Sequence, residues 1–310
     1  MITADDVRAA RETIGSDLHR TPVFSSATLG PRIFLKAELF QRTGSFKPRG
    51  VLTKLRSLSA DERARGVIGA SAGNHAQALA WCARHEGLDA LLVMWRTASP
   101  AKVAATREYG AEIDLEAPGP ETVFDRLQAL IDETGRTLVH PFDDPLVVAG
   151  QGTVGLEIAE DVPDVDTVVV PVGGGGLVAG IAAALPEARV VGVEPSTSNA
   201  LTVGLAANEP TPVSPRSIAD GLNAPFAGAL PIQVARECGV RLVLVEDEEI
   251  EDAMRFLYER AKLACEPAGA AGVAAIRAGK IPVDGDETIA VVVSGGNVSR
   301  ETAAAILGRP

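Results

Sequence analysis

Apolar residues come in short runs that alternate with stretches of helical spacing. VIGAS (67–71), DALLVMW (89–95), AEIDLEA (111–117), TLVH (137–140), DTVVVPV (166–172), ARVVGVEP (188–195), RLVLVE (241–246) and TIAVVVSGGN (288–297) read as strands, most of them apolar at consecutive positions. Between them the period changes. Ala76, Leu79, Ala80 and Ala83 share one face and predict a helix over 74–86. Further helices are predicted over 100–109, 121–133, about 151–161, 177–185 and 247–264. Strands apolar throughout are covered on both faces, and their alternation with helices marks α/β layers round mostly parallel sheets. The Pro- and Ala-rich segment 208–229 lacks periodicity and predicts a long ordered loop, of the kind that serves function in compact domains.

Three of the strands end in small residues before a helix can begin: SAGNH (71–75), GGGGL (173–177) and SGGN (294–297). In open α/β sheets ligands bind beyond the carboxyl ends of the strands, and a helix N-terminus there offers free N–H groups to an anion. GGGGL suits a phosphate best, since residues without side chains let the backbone close round it. A tight turn would account for one or two of the glycines, not for a run of four. The run lacks the Lys-Ser/Thr of a phosphate-binding NTPase loop and the spacing of a dinucleotide fingerprint.

Lysine is rare here, and one lies in QRTGSFKPRG (41–50) at Lys47, between Arg42 and Arg49 and beside Phe46. A lysine can form a Schiff base once burial or nearby cations lower its basicity, whereas arginine cannot. Alone, Lys47 reads as a solvated surface lysine, and it becomes informative only together with the Gly-rich turns.

Composition narrows the setting. The chain of 310 residues is long enough for about two domains, and a formal charge of −12 repels nucleic acids and anionic membranes. Cys82, Cys238 and Cys265 are widely spaced, without the pairing of a disulfide framework or a zinc site, so a cytoplasmic location is expected. The opening MITADDVRAARETIG reads as no signal peptide, and no run approaches the roughly 20 apolar residues of a membrane span.

GSFKPRG, SAGNHAQALA, AGQGTVGLE, VGGGGL, ADG and SGGN stand in the order found in the fold-type II enzymes that use pyridoxal 5'-phosphate (PLP). From about Thr21 to Arg300 the chain resembles the threonine/serine dehydratases of that group, with serine racemase a close relative. The resemblance implies a two-domain, tryptophan synthase β-like α/β fold. The large PLP-binding domain would comprise 1–65 and 144–310, and a small one, 66–143, would carry the substrate-carboxylate loop. It implies that Lys47 carries PLP and removes the Cα proton. Phe46 would pack beside the ring, Asn74 would bond the 3'-oxygen, and Ser294 would face the pyridine nitrogen. Gly173, Gly174, Gly175, Gly176 and Leu177 would hold the phosphate, and Ser71, Ala72, Gly73, Asn74 and His75 the substrate carboxylate. The reaction implied is loss of water from L-threonine or L-serine, giving 2-oxobutyrate or pyruvate plus ammonia, in a homodimer or homotetramer. The alternatives are a serine racemase-like isomerase and a 3-hydroxyaspartate dehydratase.

Two departures bear on that choice. The racemase-type relatives place a serine where this chain has Ala72, and alanine has no proton to give to the second face of a substrate. They also have a metal site that begins at the position of Glu194 and continues six residues later, where this chain has Ala200, so no metal is expected. Phe142 stands where racemases tend to have Asn. Arg216 is a candidate cation for an acidic substrate. Glu266 either lies at the ring's edge, as in the family, or opens a helix with Pro267. His75 reads as a carboxylate-loop residue or as a structural hydrogen-bond partner. His19, His85 and His140 lack ligand spacing, and EDEEIED (246–252) reads as a solvated first helical turn.

Overall fold

The computed structural model describes residues 2–119, 122–283 and 285–308. Its strands are β1 (Val23–Ser25), β2 (Ile33–Ala37), β3 (Val67–Ala70), β4 (Ala90–Trp95), β5 (Glu112–Ala117), β6 (Thr137–Leu138), β7 (Thr167–Pro171), β8 (Arg189–Pro195), β9 (Arg241–Val245) and β10 (Ile289–Val293). They form two sheets. One has the order β1-β2-β10-β7-β8-β9, the other β5-β4-β3-β6. Every pairing is parallel except β1 with β2. This is the α/β fold with mostly parallel sheets that the apolar runs predict. β7 and β10 are buried at every position, as strands with helices on both faces must be.

The helix after β3, Asn74–Glu86, has the predicted limits and buries Ala76, Leu79, Ala80 and Ala83. The helix expected over 151–161 begins earlier and spans Pro145–Asp161. The Asp144 carboxylate accepts the N–H groups of Leu146 and Val147, and Pro145 takes the first helical position, so the helix is capped and started at Asp144 and Pro145. The helix expected over 247–264 stays α-helical only over Asp247–Phe256 and widens into a π-turn at Leu257–Ala261. Lys262 then reverses the chain in the left-handed region, and Leu263 N–H donates to the Leu257 carbonyl, which buries both leucines. Of the predicted helix over 121–133, Glu121 lies outside the described residues, and the helix runs Val123–Thr134.

Lys47 immediately precedes the helix Pro48–Arg56. That helix is clamped to Pro145–Asp161 so closely that a Cβ on Gly50 would lie 2.5 Å from the Val147 carbonyl oxygen. Beneath it Arg49 is buried and bound twice over. Its Nε and Nη2 donate to Glu38 at 2.9 and 2.8 Å, and its Nη1 and Nη2 donate to Glu157 at 2.6 and 3.0 Å. Lys36, fully buried on β2, donates to the same Glu157 at 2.6 Å and to the Thr21 carbonyl at 2.7 Å. The network joins β2, the Lys47 helix and the long helix behind it. Removing one partner of a buried ion pair leaves an uncompensated charge. Arg49→Met is therefore expected to destabilise the protein by about 3–5 kcal/mol, measured as a fall in the urea midpoint. A change below about 1 kcal/mol, the worth of an exposed pair, would contradict this account.

Candidate functional site

The three Gly-rich turns and the Lys47 loop are brought together by contacts. Phe46 N–H donates to the Ser294 carbonyl at 3.2 Å, and Ser45 forms an antiparallel bridge with Gly295, so the Lys47 loop is stitched to the end of β10. Lys47 Nζ donates to the Pro141 carbonyl at 2.9 Å and lies 5.2 Å from the centroid of the Phe46 ring. Burial pulls the Lys47 ammonium down to about 8 against the opposing pull of the Glu266 charge. The reading of Lys47 as a solvated surface residue is thereby set aside.

After β7 the chain runs through Gly173 and Gly174 into Gly175, whose φ of 92° is left-handed, and the helix Gly176–Ala184 starts at once. No side chain caps that helix, so its first N–H groups remain open to a ligand. The cradle is also walled. A Cβ on Gly174 would lie 2.3 Å from the Phe142 ring, and one on Gly175 2.7 Å from Pro231. Phe142 meets His140 edge-on at 4.7 Å and Phe226 at 5.7 Å.

On the opposite side Gly73 precedes the helix Asn74–Glu86, again without a side-chain cap. Ser71 Oγ accepts from Gly73 N–H at 3.1 Å, and Ala72 is buried in the adjoining core. The His75 ring is buried and donates from Nε2 to the Val139 carbonyl at 2.9 Å, while its Nδ1 has no partner. Burial, with the Lys47 charge adding to it, pushes this imidazole down to about 3, so it stays neutral. The side chain anchors the loop, and the backbone N–H of His75 is the part suited to a carboxylate.

Asn74 is already engaged. Its Nδ2 donates to Glu266 Oε1 at 2.7 Å, and its Oδ1 accepts from Asn297 Nδ2, which also donates to the Thr43 carbonyl. A primary amide has a second N–H for a further acceptor. Glu266 precedes the helix Pro267–Arg277, with Pro267 in the first position, but its carboxylate makes no cap bond to that helix. Burial, aided by the Asp220 charge, raises it to about 8. A Cβ on Gly295 would lie 2.2 Å from Glu266 Oε1, which explains the first glycine of SGGN. Asn297 and the buried, unpartnered hydroxyls of Thr43 and Ser45 are features that the sequence left without a role.

Other candidates fall away from this centre. Glu194 caps the helix Ala200–Ala207, accepting from Leu201 N–H, Thr202 N–H and Thr202 Oγ1 at 2.6–2.9 Å. Arg216 is exposed. Cys82 packs in the core, and EDEEIED forms a capped helix start in which Glu246 and Glu249 serve each other. His140 Nδ1 accepts the Phe142 and Asp143 N–H groups and shapes the loop beside Lys47. Among the described residues no cluster of three or more His, Cys, Asp or Glu side chains is placed to hold a metal, and no helix is long and apolar enough to cross a membrane.

A desolvated lysine facing an open-ended glycine cradle, with orphaned hydroxyls beside it, suits a phosphorylated aldehyde on an aromatic ring. The chain belongs to the pyridoxal-phosphate-dependent enzymes, whose family model matches residues 14–295. It is 43% identical over 307 residues to an L-threonine ammonia-lyase of Thermotoga maritima, which covers 96% of this chain and 76% of that protein. A catabolic L-threonine dehydratase of Staphylococcus aureus is 42% identical over 311 residues, covering 96% and 90%. Among solved structures, maize serine racemase superposes with a TM-score of 0.91 at 36% identity, covering 98% of this chain and 96% of that one. A T.th. threonine deaminase gives 0.88 at 38% identity, covering 96% and 99%.

The lowered basicity of Lys47 has a measurable sign. The neutral amine attacks an aldehyde, so covalent uptake of PLP by the apoprotein is expected to rise as pH passes through about 8 and then level off. Stopped-flow absorbance measures this; a midpoint near the ordinary lysine value of about 10.4 would show an ammonium in contact with water. Gly175→Asp puts a side chain on a left-handed residue and a negative charge in the cradle. It is expected to weaken PLP retention at least tenfold, about 1.4 kcal/mol, read by equilibrium dialysis.

Proposed function

We propose that this enzyme eliminates water from L-threonine, L-serine or both, releasing 2-oxobutyrate or pyruvate and ammonia. The observation that carries the reading is the meeting of the Lys47 amine, the glycine cradle and the Ser71–His75 loop in one cleft, in a chain closely related to named threonine ammonia-lyases. Lys47 holds the cofactor covalently, Phe46 flanks its ring, and the backbone of Gly173, Gly174, Gly175, Gly176 and Leu177 binds its phosphate. The second N–H of Asn74 donates to the 3'-oxygen. Bound PLP supplies a sink for the electron pair left at Cα. Lys47 Nζ takes the Cα proton, and the backbone of Ser71, Ala72, Gly73, Asn74 and His75 holds the carboxylate so that this proton faces the lysine. The β-hydroxyl takes up one proton and leaves as water, balancing the proton that Lys47 takes from Cα, and the released enamine takes up a water to give the 2-oxo acid and ammonia. Ser294 offers the ring nitrogen a hydroxyl rather than a carboxylate, which does not hold a proton there and favours prompt loss of the β-group.

Ala72 supports elimination over racemisation, because its buried methyl group has no proton for the opposite face of Cα. The strong likeness to serine racemase keeps isomerisation as the competing outcome. In this reading 1–65 and 144–310 form the cofactor domain, and 66–143 a smaller one that moves inward on substrate and excludes water. The protein works as a homo-oligomer in the cytoplasm, where the free thiols Cys82, Cys238 and Cys265 stay reduced.

A coupled assay of 2-oxo acid release, with chiral chromatography of the residual serine, tests the reaction. Threonine and serine are expected to be consumed with little D-serine formed, and Lys47→Ala is expected to lose both turnover and covalent cofactor. D-serine as the main product, or turnover that survives Lys47→Ala, would overturn the reading.

A further inference from the structure

Lys102 and Asp220 meet across the mouth of the cleft. Lys102 stands in the first turn of the helix Pro100–Glu108, which packs against β5 and the helix Asn74–Glu86. Asp220 opens the 3₁₀ turn Asp220–Leu222, within the long loop that the sequence marks as functional. The ammonium of one donates directly to the carboxylate of the other across 118 positions of sequence.

That turn adjoins the reacting centre. A Cβ on Gly221 would lie 3.9 Å from both Asn74 Nδ2 and Glu266 Oε1, and one on Gly173 would lie 3.2 Å from the Leu222 Cα. The turn therefore runs between the phosphate cradle and the Asn74–Glu266 pair. Glu266 feels the charges of Asp220, Lys102 and Lys47. Lys102 is thus a cation of the cleft mouth besides the reactive lysine, and Asp220 already occupies it. Arg216, the other cation considered for this task, is exposed.

We propose that Asp220 selects against amino-acid substrates bearing a second carboxylate by holding the Lys102 ammonium that such a group would need. The proposal rests on the reading of this cleft as a β-hydroxy amino acid site and says which members of that class it takes. A dianionic substrate must displace Asp220 from Lys102 and then lie beside the displaced carboxylate. A neutral side chain meets neither obstacle. Specificity of this kind comes from an opposing charge rather than from an added attraction.

The test compares the PLP-loaded wild type with Asp220→Asn, Lys102→Met and the double variant. Two ratios are read: kcat/KM for 3-hydroxyaspartate against threonine, and affinity for succinate against butyrate. The second pair carries no β-hydroxyl to eliminate, and binding is followed by fluorescence of Trp81 and Trp95, which lie on the helix Asn74–Glu86 and at the end of β4. Asp220→Asn frees the cation and removes the like charge, so both ratios are expected to rise about two- to fivefold, the range for a half-exposed charge contact. Lys102→Met leaves Asp220 bare and is expected to lower both. The double variant is expected to lose the gain. Unchanged ratios in Asp220→Asn, a rise in Lys102→Met, or a gain that persists in the double variant would overturn the proposal. A wild type inactive on threonine and serine refutes the proposed reaction, and the succinate-to-butyrate ratio then still decides the role of Asp220.

Discussion

The buried ion network around Arg49 is the constraint on which the site depends. A guanidinium without access to water is tolerable only where carboxylates accept its protons in the right plane, and Glu38 and Glu157 do so from two sides. Arg49 is two residues from Lys47, so fixing one fixes the other. The glycine contacts between the helices Pro48–Arg56 and Pro145–Asp161 leave no slack for the first of them to slide. The Lys47 amine is therefore positioned by charges beneath its helix, while in the cleft burial outweighs the opposing pull of Glu266 on its basicity.

Within the cleft, burial shifts a base and an acid toward each other. Lys47 is lowered and Glu266 raised, both to about 8, so neither is locked into its charged form near neutral pH. Glu266 accepts from the Asn74 amide, and Asn297 holds the other end of that amide. Two helix starts that border the cleft carry no side-chain cap, which suits their backbone N–H groups to anions. These donors carry no titrating proton, and in a chain of net charge −12 they present positive potential without adding a lysine or arginine that would compete with Lys47.

Most of this was legible in the sequence wherever one local rule sufficed. Continuous apolar runs located the buried strands, and small residues after β3 and β7 marked two uncapped helix starts. Failures came where local signals conflicted. The helix expected over about 151–161 is placed six residues late, because its first turns carry the Gly150 of AGQGTVGLE, which serves close helix contact, and its start rests on Asp144 and Pro145. Glu266 had two readings because a residue before a helix is normally read as its cap, and only the approach of Asn74, 192 positions away, decides between them. Asn297 sat unassigned within SGGN for the same reason. The pairing of Lys102 with Asp220 leaves no trace in sequence, since one lies at a helix start and the other in a 3₁₀ turn 118 positions away.

β10 lies between β2 and β7 and supplies Ser294 at its end. A chain made from its N-terminus therefore exposes the flanks of β2 and β7 until residues 289–293 leave the ribosome. Only then does the sheet close, and the Lys47 loop gains its stitch to Ser294 and Gly295 at the same moment. The sequence separation of these pairings makes closure a late and slow event. The anchoring of the Lys47 loop thus waits for residues 289–295, more than 240 positions further along the chain.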